Sequence, residues 1–154
     1  MMRKCLFMMV SFLFFIGVVF ALGAASKQGT PARADIATPA QGNRVIAYYF
    51  HGTFRCPTCY NMEKYSKEAI ETNFKDALSS GKLEFSAVNV EEKGNEHYAN
   101  DYKLYTKSLI LSLLKDGKEV KSKNLEKIWE YAHNRQKFID YVTEELNGFM
   151  KDAQ

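Results

Sequence analysis

Hydrophobic and polar positions divide the chain into three stretches. Residues 6–25 carry no charge and are rich in Phe, Leu, Val and Met; they follow Met-Met-Arg-Lys and end in Gly23-Ala24-Ala25-Ser26. Residues 26–43 read SKQGTPARADIATPAQGN, without apolar periodicity, which predicts a flexible linker. From residue 44 to residue 154, short apolar runs alternate with amphipathic ones. That length fits one domain, given a prior of about 100 to 200 residues each.

Within 44–154, Val45 to Phe50 is apolar on both faces and β-prone, as in a strand buried inside a sheet. After Cys56-Pro57 a long helical period puts Cys59, Met62, Ser66, Ala69, Ile70, Asn73, Phe74, Ala77 and Leu78 on one side, ending at Ser80-Gly81. Glu63, Lys64, Lys67, Glu68, Glu71 and Lys75 are expected to face water. Leu83 to Val90 predicts a second strand, Glu96 to Tyr105 a short helix, and Ser108 to Leu114 a third strand. Asp116-Gly117 predicts a tight hairpin turn, because both residues tolerate positive φ, and returns the chain through Glu119-Val120. Asn124 is a candidate N-cap for a helix through Ala132; a last helix from Arg135 to Phe149 presents Phe138, Val142, Leu146 and Phe149 on one face. The order β-α-β-α-β-β-α predicts a mixed four-stranded sheet flanked by helices.

Charge separates the first 43 residues from the rest. Residues 1–43 hold four Lys/Arg against one Asp, while 44–154 hold seventeen of each sign, so the formal +3 belongs to the N-terminal stretches. The domain lacks the basic footprint that phosphate-backbone binding requires, and nucleic acid is not an expected partner. Residues 1–25 read as an export segment, in one of two forms. A cleaved signal peptide agrees with the small residues at its end; an uncleaved membrane anchor agrees with its length, since about 20 residues span a bilayer. In both, Arg3 and Lys4 stay on the cytoplasmic side and the domain is exported, to the periplasm or the extracytoplasmic face of a bacterial inner membrane. Cys5 precedes the apolar run and is expected to be inert.

The exported part then holds two cysteines, Cys56 and Cys59, separated by Pro57 and Thr58. In an oxidising compartment this spacing implies a disulfide for at least part of the time. Pro57 suits the first turn of a helix. Unpaired N–H groups and the helix dipole there favour a thiolate at Cys56, with Arg55 either adding to that effect or lying solvated. Cys59 falls one turn inward on the same side. Cys56 is therefore the expected nucleophile and Cys59 the resolving thiol in thiol-disulfide exchange. Thr58 either tunes the pair by hydrogen bonding or lies exposed at the helix start. His51, five residues before Cys56, is either a proton acceptor or satisfies a loop carbonyl. Zinc normally needs four ligands, and His51, His97 and His133 show no ligand spacing with the pair. No cofactor is expected: Cys59 is followed by Tyr60 and not by the His of a c-type haem site, and no phosphate-cradling glycine loop is present.

A strand, a CxxC at a helix start and a distal Lys115-Asp116-Gly117-Lys118 hairpin resemble the thioredoxin superfamily over roughly residues 44 to 150. More narrowly, Tyr48-Tyr49-Phe50-His51-Gly52-Thr53, Arg55-Cys56-Pro57-Thr58-Cys59, Gly81-Lys82-Leu83-Glu84-Phe85 and Tyr105-Thr106-Lys107-Ser108-Leu109 resemble exported ArsF-type proteins, which carry the label of nitrophenyl-compound nitroreductase subunits. The resemblance implies a thioredoxin-like fold that brings Lys107 and Ser108 near the cysteines, where Lys107 either stabilises the thiolate or faces solvent. It also implies partners that are protein thiols, disulfides or a membrane redox protein. Two departures stand out: Phe50 occupies the place of thioredoxin's buried Asp, and Lys107-Ser108 that of its cis-Pro. They motivate an alternative, a redox-inactive thioredoxin-shaped module that docks on an exported or membrane partner or binds a soft metal through its two thiolates.

Overall fold

The computed structural model describes residues 42–152. The expected leader, and the expected linker up to residue 41, lie outside the described residues. In chain order the elements are β1 (Arg44–His51), α1 (Pro57–Asn73), α2 (Lys75–Ser79), β2 (Leu83–Asn89), α3 (His97–Asp101), β3 (Ser108–Lys115), β4 (Lys118–Asn124), α4 (Ile128–Tyr131) and α5 (Arg135–Lys151).

The four strands form one sheet in the order β2-β1-β3-β4. β1 pairs in parallel with β2, as a crossover through helices allows, and antiparallel with β3; the hairpin then adds β4. Asp116 and Gly117 close that hairpin with φ of 50° and 77°, the positive values that the Asp-Gly pair predicts. This strand order, with a helix entered from the end of β1, is a thioredoxin-like α/β fold.

Successive side chains of β1 point to opposite faces of the sheet. Val45, Ala47 and Tyr49 join Leu83, Leu109, Leu111 and Leu113 in the main core, against Met62, Ala69 and Ile70 of α1 and Phe138, Val142 and Leu146 of α5. Tyr48 and Phe50 face the other way, where the rings of Tyr98 and Tyr102 cover them at centroid separations of 5.1 to 6.3 Å.

Three elements differ from the sequence expectation. The helix expected from Cys56 to Ser80 is two: Phe74 leaves helical geometry at φ −128° while its N–H still bonds the Ile70 carbonyl, and its ring is buried. α3 spans only five residues. Asn124 is not a helix cap, because it pairs with Ile110 and the Leu125 N–H continues the ladder to the Leu109 carbonyl. The helix begins only after Lys127.

Candidate functional site

β1, an inner strand, ends at His51, and the next five residues carry the chain to α1, which starts with Cys56 as its N-cap. Cys56 has extended geometry (φ −84°, ψ 164°), and its Sγ accepts a hydrogen bond from the Cys59 N–H at 3.4 Å. Its carbonyl receives the Cys59 and Tyr60 N–H groups at 2.9 and 3.2 Å. Sulfur thus takes the role that a Ser or Asp oxygen plays in other caps. Pro57 opens the helix where no N–H is needed. Both thiols are unbridged; Cys56 is half-buried and Cys59 is 2% exposed.

The two thiols differ electrostatically. Hydrogen bonds from the Cys59 thiol and then from the Cys59 backbone N–H hold Cys56 below the ordinary thiol value, and the Thr58 backbone adds to this. Burial, followed by the hydrogen bond to Cys56, pushes Cys59 up, with Lys107 acting weakly in the opposite direction. One reachable thiol with a stabilised anion lies in front of one buried thiol that keeps its proton.

Arg55 is turned inward. Its Nη2 pairs with the Glu63 carboxylate, and its guanidinium lies 4.4 Å over the Tyr60 ring and 6.0 Å from that of Tyr49. Its Nε is buried without a hydrogen-bond partner. Glu63, expected to face water, is thus half-buried and neutralises the charge next to Cys56. The Tyr49 hydroxyl donates to the Cys59 carbonyl at 2.7 Å, and burial pushes the phenol's pKa far up, so it stays a donor. Phe50, by contrast, faces away from the thiols onto Tyr98 and Tyr102.

His51 Nδ1 lies 3.0 Å from the Gly52 carbonyl. Thr58 is half-buried in the first turn of α1. Phe50 pairs with Ser108 across the ladder, which brings the start of β3 beside the end of β1. Ser108 is buried and donates to the Thr106 carbonyl at 3.0 Å, and the Lys107 carbonyl accepts the Trp129 indole N–H at 2.9 Å. Among the described residues no peptide bond is cis. A cleft of about 160 Å³ runs beside this loop, lined by His51, Gly52, Glu91, Tyr105 and Lys107 among others.

Glu91 was not singled out by the sequence. Its carboxylate accepts the Thr53 N–H at 3.0 Å, and that bond, with Thr53's side chain next, lowers its pKa. A Cβ at Gly52 would come within 2.5 Å of Glu91 Oε1, so a side chain there would push the flexible Glu91 carboxylate aside. The Asn89 amide adds a bond to Thr53 Oγ1 at 3.2 Å. The loop to Cys56 is thereby held from the end of β2. Among the described residues no group of three or more His, Cys, Asp or Glu could hold a metal ion. The larger concavity along α5 lies away from the cysteines, and its Lys121, Lys123 and Arg135 are already paired with Asp152, Glu145 and Glu68.

No protein-family model matches the chain, and no curated protein matches it by sequence. The solved structures similar to it include several thioredoxins. That of Fasciola hepatica is 20% identical, with 74% of this chain and 85% of that one covered, at a TM-score of 0.41. Mitochondrial thioredoxin 3 from Saccharomyces cerevisiae, in its oxidised form, is 16% identical over 68% of this chain and 81% of that one, at 0.39. Thioredoxin O2 from Arabidopsis thaliana, oxidised, is 11% identical over 62% and 76%, at 0.37.

Proposed function

We propose that this domain is an exported thiol-disulfide oxidoreductase or electron-relay module, with Cys56 as nucleophile and Cys59 as resolving thiol. The observation that carries the reading is the asymmetry of the pair: Cys56 Sγ is reachable and bonded by the Cys59 N–H, while Cys59 is buried behind it. The Cys56 thiolate attacks a partner disulfide R–S–S–R′, forming Cys56–S–S–R and releasing R′–S⁻, which takes a proton from water. Cys59 then loses its proton to water and attacks Cys56 Sγ, releasing R–S⁻ and closing the internal disulfide. The chain gives up two electrons and the partner gains them; the reverse sequence oxidises a partner dithiol.

Tyr49, the Arg55–Glu63 pair and the Thr53–Glu91 contact keep the helix start rigid, so the two sulfurs need little reorganisation. The partners are protein thiols or disulfides, or a membrane redox protein, on the extracytoplasmic side. The export segment expected at residues 1–25 supports this compartment, and the thiols supply the redox chemistry without a flavin.

Replacing Cys56 with Ser should abolish insulin-disulfide reduction, and Cys59→Ser should accumulate mixed disulfides on non-reducing gels. Exchange unchanged by either substitution would falsify the proposal. The second reading, a soft-metal or docking module, draws on Lys107-Ser108 at the strand facing the thiols. It predicts Cu(I) or Zn(II) retained by the reduced protein after desalting, with exchange no faster than that of a small-molecule thiol.

A further inference from the structure

Arg55 and Glu63 straddle the two thiols. Arg55 immediately precedes Cys56, and Glu63 lies one helical turn beyond Cys59, on the same side of α1. The side chains of this ion pair are 14% and 27% exposed, which makes it more enclosed than the Arg44–Glu84 and Arg135–Glu68 pairs. That enclosure is unfavourable in two ways. Both charges are drawn out of water, and the buried Arg55 Nε lacks a hydrogen-bond partner, at a cost of about 1 to 3 kcal/mol. An arginine turned out to solvent would avoid both. Departures of this kind are expected beside functional groups.

What the arrangement withholds from the nucleophile is a cation. A guanidinium turned towards the start of α1 would stabilise the Cys56 anion directly. Instead it is paired with Glu63 and lies over the Tyr60 ring at 4.4 Å, with the Tyr49 ring of β1 at 6.0 Å. The support that Cys56 does receive comes first from the Cys59 thiol and N–H, and the other nearby cation, Lys107, acts on Cys59.

We propose that Glu63 is a positioning residue for the redox chemistry: by holding Arg55 along α1 it keeps the cation from the Cys56 thiolate and biases the dithiol towards giving up electrons. A cation at the thiolate stabilises the reduced form, and a pair whose reduced form is stabilised is a stronger oxidant. A cation already neutralised by a carboxylate exerts much less of that effect. Of the two directions of exchange written above, the one that reduces a partner disulfide is therefore favoured. The inference rests on the dithiol reading, but it is tested on the equilibrium of the two sulfurs and not on a partner.

The full chain, in a non-ionic detergent at neutral pH, is equilibrated with graded ratios of reduced and oxidised glutathione. Alkylation and peptide mass then count Cys56 and Cys59 apart from Cys5. In the reaction measured, the dithiol and one glutathione disulfide give the internal disulfide and two glutathione thiols, with two electrons passing to glutathione. Glu63→Gln keeps the shape of the side chain but not its charge, and should lower the constant of that reaction at least about threefold, a potential about 14 mV more oxidising. The alkylation midpoint of Cys56 should fall with it. Glu63→Asp, which keeps the charge on a shorter arm, should shift both readouts in the same direction by less. In an Arg55→Gln background, Glu63→Gln should have less than about half its effect on a logarithmic scale, because the residue it acts through is gone. A constant unmoved by Glu63→Gln, a shift in the reducing direction, or an equal shift with Arg55 absent would each overturn the proposal. None of these readouts requires insulin reduction, so the exchange reading and this proposal fail separately.

Discussion

Tyr49 and Phe50 are neighbours in β1, both buried, yet they serve different sides of the molecule. Tyr49 enters the core between the sheet and α1 and α5, and its hydroxyl reaches the backbone of Cys59. Phe50 enters a thinner layer made of Tyr48, Tyr98 and Tyr102, covered by the one-turn α3. The first side has two seventeen-residue helices to bury its apolar surface; the second has stacked rings with exposed rims. Stability and site geometry are therefore concentrated on the same face. The aromatic layer closes the back of the sheet without touching the thiols.

Four substitutions test this contrast, in decreasing order of expected effect. Phe138→Ala, in the two-helix face, should cost about 3 to 5 kcal/mol in urea unfolding, the usual range for a buried aromatic. A loss no larger than that for Tyr102→Phe would remove the distinction between the faces. Glu63→Ala leaves the half-buried Arg55 guanidinium without its carboxylate, which should cost about 2 kcal/mol and loosen the first turn of α1. Measured by thermal unfolding of the reduced protein, an effect near zero would mean that Arg55 swings out to water. Tyr49→Phe removes one bond to a carbonyl still engaged in the helix, so about 1 kcal/mol is expected. Tyr102→Phe breaks the link from the Tyr102 hydroxyl to Glu119 on the thin face, and about 0.5 kcal/mol or less should be lost there.

The pH dependence sharpens the same contrast at the level of the two sulfurs. Cys56 is shifted down by hydrogen bonds to its anion, so its folded-state pKa lies below the unfolded value. Any stability from this shift is present above the unfolded pKa and is lost as pH falls through the folded one. Alkylation of Cys56 by iodoacetamide should follow the same curve, with its midpoint below that of an ordinary thiol. Cys59, shifted up by burial, should react only at higher pH and more slowly. Equal midpoints for the two sulfurs, resolved by peptide mass, would remove the basis for assigning nucleophile and resolver.

Much of the fold was legible in the pattern of the chain because it is local. The four strands, the hairpin at Asp116-Gly117 and the face Phe138, Val142, Leu146 and Phe149 of α5 follow from periodicity and turn chemistry, and all four of those residues are buried. The placement of Cys56 at a helix start followed from Pro57. Less legible were the ends of elements, where tertiary contacts outweigh local preference. Phe74 breaks a helix whose period continues past it, turning to φ −128°, and Asn124 serves a strand pairing instead of a cap.

By itself, the sequence determined the strand and helix order, the two thiols, and which of them opens the helix, since these depend on residues within a few positions of one another. Only the tertiary structure decided which groups surround the thiols. Tyr49 and not Phe50 reaches Cys59, Glu63 and not solvent neutralises Arg55, and Glu91, thirty-eight residues from Thr53, holds the loop. Each choice turns on which way a side chain faces once distant strands are in register. The one-residue alternation of a strand and the depth of burial beside a packed helix settle that direction, and neither is a property of a residue's immediate neighbours in the chain.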